Sequence, residues 1–309
     1  MSAPIAPVPA GVRVRVPAKI NLTLKVGAPR PDGFHPLATV YQAVSLFDEV
    51  IASWDDPGQF SIVHSGEGAG EVPVDDRNLA VRAAKLLAER HGDGLPLGVA
   101  LSIHKAIPVA GGLAGGSSNG AAALLACATL WALDLSDEQL LVLAAELGSD
   151  VPFALVGGTA LGSGRGEQVA PVLGRGSYHW VLGFGRKGLS TPAVYRTYDD
   201  LQPHAPPPEV SDELMAALRS GDAERLGPAL DNDLQPAALR LQPQLRQTLE
   251  TGLEYGALGA VVSGSGPTVA FLVRSEAAAV DLCVALTADG VVRTARTVTG
   301  PVSGARLLP

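Results

Sequence analysis

KAIPVAGGLAGGSSNGAAALLACATLWA, residues 105–132, is the stretch on which the reading of this chain turns. Between Pro108 and Ser118 the only bulky side chains are Val109 and Leu113, so the backbone is left bare. Ser117, Ser118 and Asn119 are good N-cap types, and the alanine- and leucine-rich run behind them is a strong helix former. A helix N-terminus carries unpaired N–H groups and a partial positive charge, and a glycine-rich approach lets a phosphate reach both. Small residues in such a place also permit close helix packing, so the glycines alone leave both readings open. The stretch lacks the Gly-Lys-Ser/Thr of a Walker loop and the later acidic residue of the dinucleotide fingerprint. Lys105 on one side and Ser117-Ser118 on the other tilt the reading toward a phosphate cradle.

Composition narrows the class. The 309 residues suffice for two domains, each with its own core. A hydrophobic content of 47% with 17% charged residues describes a globular chain rather than a disordered one. The formal net charge of -8 argues against nucleic acid as a partner, because a binder needs a basic surface. Lysines are few, yet Lys19, Lys25 and Lys105 all fall in or beside motifs, which fits local handling of a polyanion. Cys127 and Cys283 sit in apolar runs and read as buried free thiols in a reducing compartment, not as a metal site. The first ten residues, rich in proline, read as a frayed tail with no secretory signal. The longest apolar run, Gly120 to Leu135, is shorter than a membrane span of roughly 20 residues. The expectation is a cytoplasmic protein without a membrane or nucleic-acid partner, a monomer or weak homodimer.

Along the chain, Val12 to Val26 alternates apolar and polar residues as a strand does. Ile20, Leu22, Leu24 and Val26 face one way, and Lys19, Asn21, Thr23 and Lys25 the other. A lone lysine on such a face is ordinarily solvated. Arg30-Pro31-Asp32-Gly33-Phe34-His35 predicts a tight turn, after which Leu37 to Phe47 resumes as strand. Phe34 and His35 suit a flat ring, although Phe34 could equally anchor a core and His35 lie idle on the surface. Asn78 opens a helix over Leu79 to His91, and Val99 to Ile103 is a strand delivering Lys105 to the glycine loop. Ser136 with Gln139 forms a capping box for a helix ending at Gly148. Asp150 then falls just past that helix's C-terminus, the unfavourable end of its dipole. Gly157 to Gly166 is again glycine-rich. Further on come a strand at Tyr178 to Gly183, a helix begun by Thr191-Pro192, helical patterns over Asp212 to Leu218 and Leu239 to Tyr255, and the strand–turn–strand Ala260 to Leu272 around Ser263-Gly264-Ser265-Gly266. A helix over Glu276 to Leu286 and a strand over Val291 to Val298 close the chain. Helices and strands that mix without strict alternation indicate an α+β class.

Three separated motifs, PAKINLTLKV with RPDGFH, PVAGGLAGGSSN, and VVSGSGPTVAFL, together resemble the GHMP kinase superfamily, from about Val12 to about Val298. PAKIN, the Asp-Gly-aromatic-His turn and Gly-Ser-Asp-Val-Pro narrow the resemblance to members acting on a cytidyl alcohol. The resemblance implies two domains with a cleft between, an N-terminal ATP-binding domain over 1–174 and a ferredoxin-like substrate domain over 175–309. It implies Lys19 and Asp150 as the catalytic pair, with Asp150 receiving the proton of the substrate 2-hydroxyl. It implies ATP held by Pro108, Val109, Ala110, Gly111, Gly112, Leu113, Ala114, Gly115, Gly116, Ser117 and Ser118, with Asn78 and Lys105 close by. Mg²⁺ is implied near Ser118. The cytidyl substrate is expected at Asn21, Phe34, His35 and Tyr195. Ala110 and Ala114 replace commoner glycines, which is tolerable where φ is negative, and Phe34 replaces a commoner tyrosine without losing the stacking face. A sibling kinase for homoserine- or mevalonate-type alcohols and a non-catalytic nucleotide binder on the same fold are the alternatives.

Overall fold

The computed structural model describes residues 11–309, and the tail 1–10 lies outside them. The first half runs β1 (Val12–Val26), β2 (Leu37–Trp54), β3 (Phe60–Gly66), α1 (Leu79–His91), β4 (Val99–Lys105), α2 (Gly115–Leu130), α3 (Asp137–Leu147), α4 (Val151–Val156), β5 (Thr159–Ser163) and β6 (Gln168–Pro171). The second half runs β7 (Tyr178–Phe184), α5 (Thr191–Leu201), α6 (Asp212–Ser220), α7 (Ala223–Leu226), β8 (Asp231–Asn232), α8 (Gln235–Leu241) and α9 (Gln244–Glu254). It ends with β9 (Gly259–Val262), β10 (Val269–Val273), α10 (Glu276–Ala288), β11 (Thr294–Gly300) and β12 (Arg306–Leu308). The single helical pattern expected over 239–255 is instead divided at Gln242-Pro243, because proline cannot supply the donor that would continue the ladder.

Two sheets organise these elements. The larger has the path β12-β1-β2-β4-β3 with β5, β6 and β8 attached, and the smaller is antiparallel in the order β11-β7-β10-β9. Numbered within their own half, those four strands read 4-1-3-2 with helices between, the ferredoxin-like arrangement. The sheets part near Gly174, but β8 and β12 return from the second half to pair with β1. No helix among the described residues is long and apolar enough to cross a membrane.

Both faces of β1 are covered, which the alternating pattern does not disclose. Ile20 and Leu22 pack with Val40 and Val44 against Trp180, Leu182 and Leu272 of the small sheet. Lys19, Asn21 and Thr23, on the opposite face, are buried as well. At the other end of the sheet, Val14, Val16, Val50, Leu101 and Ile103 pack under α1, α2 and α3. Helix α2 is enclosed all round, as its nearly uniform apolar composition requires, and a Cβ at Gly120 would stand 3.3 Å from Leu79 Cβ where α1 crosses. The small residues of this stretch therefore do serve packing, but they do so inside the helix; the loop before it lies open.

Candidate active site

The bare loop and the N-terminus of α2 line one cavity of about 850 Å³, together with Lys19, Asn21, Phe34, His35, Asn78, Lys105, Asp150 and Tyr195. Residues from widely separated parts of the chain thus converge as expected. Lys19 N–H donates to Leu113 O at 3.2 Å, so the loop is stitched to β1. From behind, the β9–β10 turn supports it: Ser263 Oγ donates to Gly112 O at 3.0 Å, and a Cβ at Gly112 would collide with Ser263 O. That is the part played by the third motif.

Helix α2 starts earlier than the serines suggest. Its N-cap is Ala114, which makes no side-chain cap, so the first-turn N–H groups are not consumed by a side chain. Starting at Gly115 rotates the two serines. Ser117 lines the cavity, whereas Ser118 is buried and its hydroxyl donates to Pro17 O at 2.9 Å, away from the cavity. Of the two serines it is Ser117, not the Ser118 expected from the sequence, whose side chain borders the cavity. Ala110 and Ala114 also depart from expectation, with φ of 52° and 59°. Left-handed φ costs an L-residue roughly 1–2 kcal/mol, partly offset by the greater entropy a glycine loses on folding. Ala114→Gly is accordingly expected to stabilise the protein by about 0.5–1 kcal/mol. A thermal melt that falls or stays level in this variant contradicts the account.

Lys19 Nζ lies 3.9 Å from Asp150 Oδ2 and 2.6 Å from Asn21 Oδ1. Asn21 Nδ2 donates to Thr39 Oγ1 at 2.8 Å, and Thr39 Oγ1 donates to Thr23 O at 2.6 Å, so the lysine's partner is itself held. Burial pushes Lys19 below the usual lysine range, while the Asp150 charge opposes that shift. Asp150 lies just past the end of α3, as its place after Gly148 suggested, but it also opens the next helix. It is the N-cap residue of α4, and its side chain makes no cap bond, so the carboxylate sits at the favourable end of a short helix and stays available. The 3.9 Å gap exceeds a hydrogen bond, and an alcohol oxygen can sit against both groups.

Asn78 and Lys105 reach the cavity with most of their hydrogen bonds already made. Asn78 caps α1 by accepting from Ala80 N–H at 2.9 Å, and its Nδ2 donates to Pro73 O at 2.7 Å and to His64 Nε2 at 3.2 Å. Burial, then the Lys105 charge, holds His64 below the usual histidine range, which suits an accepting nitrogen. Lys105 Nζ donates to Asp48 and, at 2.9 Å, to Asn119 Oδ1. Asp48 is wholly buried and also accepts from Asn119 Nδ2, Ala106 N–H and Ile107 N–H at 2.7–2.8 Å. Asp48, Asn119 and His64 escaped the sequence reading.

At the far end, Phe34 is 49% exposed with the Arg165 guanidinium 4.8 Å from its ring centroid, so it anchors no core. His35, by contrast, is buried and far from idle. Its Nδ1–H donates to Gly27 O at 2.8 Å, its Nε2 is 3.5 Å from Asp199 Oδ1, and its ring lies 5.0 Å from that of Tyr195. The side chain of His35 therefore backs Tyr195 instead of standing free.

Models of the GHMP kinase N-terminal domain and the GHMP kinase C-terminal region match residues 78–158 and 214–292. The 4-diphosphocytidyl-2-C-methyl-D-erythritol kinase of Mycolicibacterium gilvum (strain PYR-GCK) is 54% identical over 98% of this chain and 94% of its own. That of Thermobifida fusca (strain YX) is 54% identical over 97% of this chain and 99% of its own. The chain belongs to the 4-diphosphocytidyl-2-C-methyl-D-erythritol kinases of the GHMP family. It is a small-molecule kinase.

A crystal structure of a 4-(cytidine 5'-diphospho)-2C-methyl-D-erythritol kinase aligns with a TM-score of 0.75 at 33% identity, over 93% of this chain and 98% of that one. Homoserine kinase from Cytophaga hutchinsonii superposes equally well, at 0.75 over 99% of this chain and 100% of that one, but at 20% identity, so that likeness speaks to the fold alone. Lys19, Asp150, Phe34 and Tyr195 all line the one cavity.

Proposed function

We propose that the enzyme transfers the γ-phosphate of ATP to the 2-hydroxyl of 4-diphosphocytidyl-2-C-methyl-D-erythritol, with Asp150 and Lys19 as the reacting pair. The observation that carries this reading is the 3.9 Å Lys19–Asp150 pair in a cavity lined also by the uncapped N-terminus of α2 and by the aromatic side chains Phe34 and Tyr195. Phosphoryl transfer asks for alignment and charge compensation more than covalent help. Asp150 accepts the alcohol proton as the oxygen attacks, and Lys19, steadied by Asn21, stabilises the charge that develops. The loop Pro108 to Ser117 and the α2 N-terminus receive the phosphates, with Asn78 and Lys105 flanking them.

Mg²⁺ accompanies ATP in this reading and neutralises charge on the β- and γ-phosphates. Among the described residues no group of three His, Cys, Asp or Glu could hold a metal by itself, so the fit is to a cation carried mainly by phosphate oxygens, with Ser117 as the hydroxyl on the loop. We place the enzyme in the cytoplasm, where ATP is at hand and free thiols such as Cys127 and Cys283 stay reduced. Residues 1–174 act as the ATP-binding half and 175–309 as the substrate half, and we take the enzyme to be a monomer or weak homodimer.

The test is ADP release with 4-diphosphocytidyl-2-C-methyl-D-erythritol, homoserine and mevalonate in turn. Stimulation by the cytidyl compound alone is expected; turnover of either other alcohol in its place overturns the assignment, and no turnover with any of them favours a binding protein. A second result is expected from Phe34→Ala. Stacking on a base contributes about 1–3 kcal/mol, so KM for the cytidyl substrate should rise roughly 5- to 150-fold. The KM for ATP should hold, and because Phe34 is half exposed the melting temperature should hardly move. Equal rises in both KM values reject the clamp.

A further inference from the structure

The glycine-rich stretch 157–166 has no part in the phosphate cradle, and the structure gives it another use. Tyr41, on β2, pairs across the sheet with Asn21 and lies almost wholly buried in the wall of the active-site cavity. Its ring packs on Phe153 of α4 with centroids 4.8 Å apart, and Lys19 Nζ stands 5.5 Å above its centre. A Cβ at Gly162 would come to 2.5 Å from Tyr41 Cε2, and one at Gly166 would meet the Tyr41 hydroxyl closer still. Gly166 also has φ of 104°, which a side chain disfavours. The segment is thus hollowed out for this one phenol, including its oxygen.

The packing just described uses the ring, and a phenylalanine would meet it. The hydroxyl needs a separate reason, because a buried O–H without a partner is costly. We propose that Tyr41 is a positioning residue for the transfer reaction, its hydroxyl donating to the Asp150 carboxylate and fixing the direction in which that carboxylate receives the alcohol proton. Lys19 Nζ, 3.9 Å from Asp150 Oδ2 and 5.5 Å from the centre of the Tyr41 ring, brings phenol and carboxylate to the same ammonium, and burial, then the neighbouring Asp150 charge, raises the phenol well above its ordinary range, so it keeps its proton to donate. Phe153, three residues beyond Asp150 on α4, locks the ring to the helix that carries the carboxylate, so the donor and the acceptor move together. Asn21 does for Lys19 what Tyr41 does for Asp150: the two reacting groups are held by residues that face each other across β1 and β2.

This inference rests on the kinase reading, and wild-type turnover of the cytidyl substrate tests that reading by itself. In the same assay Tyr41→Phe, which keeps the ring packing, is expected to lower kcat about 10- to 100-fold, the worth of one hydrogen bond to a charged group. The KM for ATP and for the cytidyl substrate should stay within about twofold, since an interaction made in the transition state alone leaves KM in place. Gly162→Ala, which pushes the ring aside, should reproduce the kcat loss, and adding it to Tyr41→Phe should cost little more. A Tyr41→Phe enzyme with wild-type kcat overturns the proposal. So does a rise in the cytidyl KM at constant kcat, which would make Tyr41 a substrate contact.

Discussion

Asp150→Asn is expected to lose about a thousandfold in kcat at neutral pH, within the 10²–10⁴ range that a positioned general base contributes. The asparagine fills the same space at the start of α4, so the cavity and its uncapped helix N–H groups should persist, and the KM values should change little. What disappears is the proton acceptor and the charge 3.9 Å from Lys19. A loss of tenfold or less would reduce Asp150 to an orienting group. The same pair sets the other side of the pH profile. Lys19 must carry its charge to stabilise the transferring phosphoryl group, and burial lowers its affinity for a proton. The expected high-pH limb of wild-type kcat therefore falls below the ordinary lysine range. Asp150 works in the opposite direction to burial, so its removal should carry the residual activity's limb lower still. A limb at or above the value of a free lysine would show that Lys19 is not the group titrating.

How far the sequence disclosed this site depends on whether a residue's meaning is local. Strand alternation set Lys19 and Asn21 side by side and a turn set Phe34 beside His35, but the roles expected of them came from the resemblance of PAKIN and the Asp-Gly-aromatic-His turn and not from local pattern. For Asp150, only half of the setting was read. Its proximity to the end of α3 was visible, and Pro152, two residues on, is the sign of a fresh helix start that should have moved it to the favourable end of α4. Ser118 is turned from the cavity for a related reason. Each residue turns a helix by about 100°, so placing the N-cap at Ala114 instead of a serine changes which hydroxyl faces the ligand. The left-handed Ala110 and Ala114 were beyond reach, since a sequence gives no sign that a loop spends strain to aim its N–H groups. Tyr41, Asp48 and His64 were invisible for another reason: each takes its role from the register of β2 or β3 against strands far away in the chain.

Asp48 yields the largest effect expected on stability. It lies 57 residues from Lys105, yet its buried carboxylate accepts from that ammonium, from Asn119, and from the two backbone N–H groups that open the glycine loop. With both charges inside, the value of the pair over an apolar replacement is small, whereas removing one partner strands the other charge at a cost of about 3–5 kcal/mol. Asp48→Ala should therefore destabilise the fold by about that amount and leave the loop's first N–H groups without an acceptor. Lys105→Met alone should also be costly. The double variant Asp48→Ala/Lys105→Met should recover a substantial part of either single loss, since no charge then remains buried without its counterpart. Recovery of stability need not recover function, because Ala106 and Ile107 still lack the acceptor that fixes the entry to the cradle. The double variant is thus expected to melt nearer the wild type while its KM for ATP stays raised. Additive losses in the two single variants would mean that the ion pair is not the unit holding the loop, and an ATP KM restored along with stability would confine Asp48 to the core.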